Sequence, residues 1–182
     1  MVIVHGYTGH PDKNWFPWLQ AKLEALRIEV VVPQMPNPDA PQLSDWLGHL
    51  QKVVGKPDQK LWLVGHSLGC PTILRYLESL APSEHVGGVI LVAGFAEPIL
   101  YPELDNFTRP AWNDAAIKAA AGHIILFNSD NDPYVPLVMG EHLKERFGAE
   151  LHVVHEAGHF NWRNGYRELP AVLDTLSTFL EE

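Results

Sequence analysis

Ser67 lies within Gly65-His66-Ser67-Leu68-Gly69, directly after the apolar run Leu61-Trp62-Leu63-Val64 and ahead of a helical pattern. A serine at such a strand-to-helix turn reads as a nucleophile elbow, the GxSxG arrangement that exposes Oγ above the free N–H groups of a helix N-terminus. The glycines have a steric reason: the serine backbone is strained there, and a Cβ two residues to either side would collide. The bare pattern arises by chance often enough to be only suggestive; its place between strand and helix is what gives it weight.

Two further segments carry the groups that would activate this serine. Ser129-Asp130-Asn131-Asp132-Pro133 follows one apolar run and Glu156-Ala157-Gly158-His159-Phe160 follows another. In that chain order Ser67 attacks an acyl carbon, His159 takes its proton and returns it to the leaving group, and an aspartate fixes the imidazole tautomer. Asp132 is the expected acid because it immediately precedes Pro133, where the backbone is restricted. Asp130 is its rival, read otherwise as a loop-capping residue. An oxyanion hole needs two backbone donors. Leu68 supplies one by position, and the loop His5-Gly6-Tyr7-Thr8-Gly9 supplies the other, from Tyr7.

The elements that must position these groups are six apolar runs: Val2–His5, Glu29–Val32, Leu61–Val64, Val89–Ala93, His123–Asn128 and Leu151–His155. They are continuous rather than alternating, as strands buried on both faces are. Helical patterns lie between them at Phe16–Leu26, Leu43–Val54, Pro71–Leu80, Asn113–Ala121, Val138–Phe147 and Leu169–Leu180. The alternation predicts an α/β architecture, a six-stranded parallel sheet with right-handed crossovers and helices on both faces, in one domain over residues 1–182. There is no internal repeat or low-complexity tract, and Pro33–Pro41 reads as a loop. The connection from Gly94 to Gly122 is the longest, and is too short for a large lid domain. Its Phe95, Phe107 and Trp112, with Tyr101, are candidates to line an apolar substrate pocket, as is Phe160 beside His159; Trp15 or Phe16 is a candidate for the wall of its mouth.

The chain has 13 Lys+Arg against 22 Asp+Glu, a net charge of −9 and no basic run. That argues against a nucleic-acid or anionic-membrane surface. The single cysteine, Cys70, excludes an internal disulfide and reads as helix packing. No apolar stretch approaches the length of a membrane span, and Met1–Gly6 is too short for a signal segment, so the expected location is cytoplasmic. No cofactor or metal is expected. One competing motif is His155-Glu156-Ala157-Gly158-His159, literally HExxH, which on a helix would hold zinc. Against it, Leu151–Val154 reads as a strand, Gly158 is costly inside a helix, and no third ligand is marked. Asp130-Asn131-Asp132 lacks the glycine and glutamate of a calcium loop. The remaining histidines, His66 included, read as surface or half-buried residues.

With these residues in place the chain resembles the small serine hydrolases related to retinoblastoma-binding protein nine, grouped with bacterial YdeN-like proteins. The likeness rests on Gly65–Gly69, on Asn106-Phe107-Thr108-Arg109-Pro110-Ala111-Trp112 leading to Ile117-Lys118, on Asp132-Pro133-Tyr134-Val135-Pro136 and on Gly158-His159-Phe160. The resemblance implies a reduced α/β-hydrolase fold, with Ser67, Asp132 and His159 at the triad positions and an esterase-like or peptidase-like activity. His5 departs from the proline often found there in the family. The expected function is hydrolysis of a small-molecule ester or related acyl compound through an acyl-enzyme. The alternatives are a protein-interaction module with a vestigial hydrolase site, for which the sequence itself gives no support, and a zinc peptidase using the HExxH segment.

Overall fold

In the computed structural model, which describes residues 1–180, the strands β1 (Val2–Val4), β2 (Trp62–His66), β3 (Gly88–Val92), β4 (Ile124–Ser129) and β5 (Glu150–Val154) form one parallel sheet in the order β1-β2-β3-β4-β5. The helices are α1 (Phe16–Ala25), α2 (Leu43–Val54), α3 (Gly69–Glu78), α4 (Asp105–Thr108), α5 (Asp114–Ala120), α6 (Leu137–Phe147) and α7 (Pro170–Leu180).

The strands are apolar throughout because alternate residues enter different cores. Leu63, Val89, Leu91 and Leu126 pack beneath α2, α3, α5 and α6 with Trp46, Ile73, Ile117 and Leu143. Ile3, Val64, Ile90, Val92 and Phe127 face the opposite way, against Phe16, Leu19 and Leu23 of α1 and Val172 and Leu176 of α7. β5 is the sheet edge and is only partly covered, with Val153 exposed.

The sheet has five strands, not the six expected. The run Glu29–Val32 makes only a parallel bridge between Val31 and Val2, in which Ile3 N–H donates to Val31 O at 2.9 Å and Val31 N–H donates to Met1 O at 3.0 Å. Pro33 has no N–H with which to continue a ladder. Two residues further on, Met35 N–H is spent on the ring of His5 instead (3.0 Å).

After β1 the chain turns to α1 on one face, and after β2 it turns to α3 on the other. The loops leaving these two adjacent strands therefore diverge and open a crevice at their carboxyl ends, the usual ligand position in parallel α/β sheets. The connection from Gly94 to Gly122 is bound to α3 by Arg75, which is almost fully buried. Its guanidinium donates to the carbonyls of Phe107 (3.0 Å), Pro110 (2.6 Å) and Ala111 (3.2 Å), pairs with Glu78 (2.7 Å) and lies 3.4 Å from the Trp112 ring centroid. Among the described residues no helix is long and apolar enough to cross a membrane.

The start of α3 sits hard against β1: a Cβ on Gly69 would lie 2.2 Å from Val4 O. Gly48, in α2, has open space around its Cβ position. Gly69→Ala should therefore destabilise by about 1–3 kcal/mol or more through forced backbone displacement, whereas Gly48→Ala should stabilise by about 0.5–1 kcal/mol through helix propensity. Urea unfolding of the two variants should show opposite signs; an unharmed Gly69→Ala protein would contradict this packing.

Candidate active site

β2 runs through Gly65 and His66, and the chain reverses into α3 at Ser67, whose φ of 54° is in the left-handed region that non-glycine residues rarely occupy. Both sides of this turn are bound. Ser67 N–H donates to Val92 O at 2.9 Å, and Ser67 O accepts from Cys70 N–H at 2.8 Å. The glycines act as expected: a Cβ on Gly65 would meet Gly69 C and Ile73 Cδ1 at 2.9 Å, and Gly69 is closed off by Val4. Gly6 is closed off too, since a Cβ there would lie 2.9 Å from Ser67 Cβ. The loop after β1 thus rests directly on the serine.

That loop is fixed by His5, which is fully buried. Met35 N–H donates to Nε2 (3.0 Å), so the ring proton is on Nδ1, which donates to Gly6 O (2.8 Å). Burial lowers the pKa of His5 from its ordinary value and keeps it neutral. Thr8 N–H is taken by Pro38 O and Gly9 N–H by Gly6 O. Among the described residues, no backbone carbonyl takes the amides of Tyr7 or Leu68, the two expected oxyanion donors.

The loop after β4 carries Asp132, whose side chain is fully buried. Its Oδ1 accepts from the amides of Tyr134 (2.9 Å) and Val135 (3.0 Å), and its Oδ2 accepts from His159 Nδ1 at 2.7 Å. This leaves Nε2 as the ring nitrogen that Asp132 does not engage. Ser67 and His159 line one cavity of about 570 Å³. Asp130 goes elsewhere: it accepts from His155 Nδ1 (2.6 Å) and Glu156 N–H (2.8 Å), and the His155 hydrogen bond holds its carboxyl below the usual range.

His159 is held by its backbone as well as its ring. Its N–H donates to Asn164 Oδ1 (3.0 Å), and its carbonyl accepts from His66 Nε2 (2.8 Å). The imidazole lies between His66 and Tyr134, with centroids 4.9 and 5.0 Å away. Burial, with the nearby His159, pushes the His66 pKa down to about 3, so His66 serves as a neutral donor. Asn131 ties the two loops together, its Oδ1 accepting from Ser129 Oγ (2.8 Å) and Gly158 N–H (2.7 Å). His66, His5 and Asn131 left no mark in the sequence, because their partners are backbone atoms of distant segments.

The expected pocket is corrected. Phe95, Phe107 and Phe160 are fully buried in the two cores, and Trp112 stacks on Arg75. None lines the cavity. Trp15 and Phe16 are core residues too, Trp15 Nε1 donating to Phe160 O at 3.1 Å. Tyr101, named with them from the sequence, does line the cavity, together with Tyr7, Tyr134, Trp162, Ile99 and Leu104. Those side chains come from four loops, after β1, β3, β4 and β5, whose convergence is tertiary, so no local pattern marks them as a set. The HExxH segment is not helical: the strand ends at Val154, Gly158 has φ 55°, and the two histidines face separate aspartates. Among the described residues no group of three His, Cys, Asp or Glu side chains is arranged to hold a metal ion. Cys70 packs in the core as expected, and burial pushes its thiol pKa up.

A parallel sheet with a serine at the elbow after β2 and a carboxylate–imidazole pair after β4 and β5 defines an α/β-hydrolase. The serine hydrolase family model matches residues 1–178, and the chain belongs to that family. It is 37% identical to YdeN of Bacillus subtilis, over 100% of this chain and 96% of that protein. It is 30% identical to serine hydrolase RBBP9 of Rattus norvegicus, over 97% and 95%. The crystal structure of the Bacillus subtilis ydeN gene product superposes with a TM-score of 0.94, covering 100% of this chain and 98% of that one.

Two measurements follow from this geometry. Asp132→Asn should lower kcat by about 10⁴ by permitting the wrong imidazole tautomer, while Asp130→Asn should change it far less; equal losses would contradict the pairing. Between pH 6 and 5 an unfolded His66 is protonated near its ordinary pKa of 6.5, while the folded one, near 3, is not. Stability attached to this residue is thus lost as pH falls through that window. His66→Gln should flatten the dependence of unfolding free energy on pH there by the equivalent of about one proton, and an unchanged slope would mean that His66 is charged in the folded protein.

Proposed function

We propose that this hydrolase cleaves carboxylic esters or related acyl compounds through a Ser67-His159-Asp132 triad and an acyl-enzyme. The observation that carries the reading is the 2.7 Å hydrogen bond from His159 Nδ1 to the buried Asp132, in a cavity that Ser67 shares with that imidazole. Ser67 Oγ attacks the acyl carbon as its proton passes to His159 Nε2. The negative charge on the carbonyl oxygen is met by the amides of Leu68 and Tyr7. The carbon–oxygen bond to the leaving group then breaks, and His159 returns the proton to the departing alcohol. Water, deprotonated by the same imidazole, attacks the acyl-serine and releases the acid and free Ser67. Asp132 stays ionised, steadying the imidazolium in both halves.

Each positioning contact has a job in this sequence. His5 holds Gly6 O and so sets the Tyr7 amide, and His66 fixes the carbonyl of His159. Tyr134 packs against the imidazole in a T-shaped contact.

Ser67→Ala should reduce hydrolysis of 4-nitrophenyl butyrate by about 10³–10⁶-fold, with an unchanged unfolding midpoint, since triad members act as a unit. Turnover close to that of the parent would remove Ser67 from the mechanism.

A further inference from the structure

The cavity is unlike the surface around it in charge and is divided into two halves. The chain carries 22 acidic against 13 basic residues, yet Lys13 and Arg163 line the cavity and no carboxylate does. Both cations are placed by one contact: Asn14 Oδ1 accepts from Trp162 N–H at 3.0 Å, joining the loop after β1 to the loop after β5. Lys13 and Arg163 are the immediate neighbours of the two bonded residues, so this contact puts them on one lip. Arg75, Arg109 and Arg146 are each in an ion pair with a carboxylate, whereas among the described residues Lys13 and Arg163 are in none. The Arg163 guanidinium lies 5.4 Å from the Trp162 ring centroid. Glu103 accepts from Tyr7 Oη at 3.1 Å and is not among the residues that line the cavity. The side formed by Ile99, Tyr101 and Leu104 of the connection from β3 to α5 is apolar and aromatic.

We propose that Lys13 and Arg163 form an anion-binding lip, and that the preferred substrates are esters whose leaving half carries a carboxylate or similar anion while the acyl half is short and apolar. This deepens the proposed ester hydrolysis and rests on it. The assignment of halves follows from the proton path. The leaving oxygen must lie where His159 can protonate it, and Arg163 is four residues beyond His159 on the same loop. The acyl group then falls on the Ile99, Tyr101 and Leu104 side. The bond broken is that between the acyl carbon and the hydroxy-acid oxygen; the released hydroxy acid carries the His159 proton, and the acyl chain leaves Ser67 as a carboxylic acid after attack by water. Two partly exposed cations acting on one anion favour it modestly and in a salt-dependent way.

The test uses a nearly isosteric pair, O-butyryl lactate and O-butyryl lactamide, in which a carboxylate is replaced by a neutral amide of similar size and shape. The native protein should show about a tenfold higher kcat/KM for the lactate ester at low salt, with the ratio falling as sodium chloride is raised to 0.5 M. The ratio should fall to about one in the Lys13→Gln/Arg163→Gln protein and invert in the Lys13→Glu/Arg163→Glu protein. An equal rate for both esters, or a preference that survives the double substitution, overturns the proposal. Methyl esters of succinate and succinamate place the anion on the acyl half, and a charge preference confined to that pair overturns the assignment of halves. Calorimetric binding of the lactate pair to the Ser67→Ala protein separates the two levels. Charge-selective binding without turnover of any ester by the parent would keep the anion site and remove ester hydrolysis; absence of charge-selective binding would remove the anion site.

Discussion

The site depends on a strained serine that the fold will not let relax. A φ of 54° at Ser67 is unfavourable for a residue with a Cβ, by roughly 1–3 kcal/mol. It persists because the amide and carbonyl on either side are hydrogen bonded to β3 and α3, and because Gly65 and Gly69 let α3 close onto β1 and β2 at distances that side chains would forbid. The strained conformation lifts Oγ out of the sheet and leaves the Leu68 amide beside it at the helix start. The raised serine and the Leu68 amide beside it are thus products of one packing contact between a helix terminus and the central strands.

Around that turn the polar groups work as clamps. His5 and His66 are both buried, both neutral, and both bind a backbone carbonyl of a loop at the cavity, Gly6 O in one case and His159 O in the other. Each of these hydrogen bonds fixes a ring and a loop together, and losing the partner would leave a buried polar atom without a hydrogen bond. His66 also links the nucleophile turn to the base loop across 93 positions of sequence, so Ser67 and His159 are positioned by adjoining residues of one strand end. Asn131 performs the same service between the acid loop and the base loop.

Which parts of this were legible in the sequence follows from how local each signal is. The elbow glycines, the Asp-Pro turn and the apolar runs are short-range features with a steric or periodic cause; they point to the parallel sheet, to the hydrogen-bonded Asp132 and His159, and to Ser67, which lines a cavity with His159. The Glu29–Val32 run had the composition of a strand, but Pro33 and the diversion of Met35 N–H to His5 reduced it to a single bridge. The pocket was misread because burial is a tertiary property. Phe95, Phe107 and Phe160 have the chemistry of a substrate wall but enter the cores, while Tyr134 and Trp162, equally aromatic, stay at the surface beside the histidine. The Phe107–Trp112 stretch marks the docking of the long connection onto Arg75 rather than contact with substrate.

In the proposed mechanism Ser67 becomes covalently acylated during turnover. Rapid acid quench of the protein with a slowly deacylating nitrophenyl ester, followed by intact-mass and peptide analysis, tests it most directly. One acyl group per chain is expected, on the peptide containing Ser67, appearing with the burst of nitrophenol and absent from the Ser67→Ala protein. An acyl group on another residue, or full turnover with no adduct under conditions where deacylation limits the rate, would contradict it.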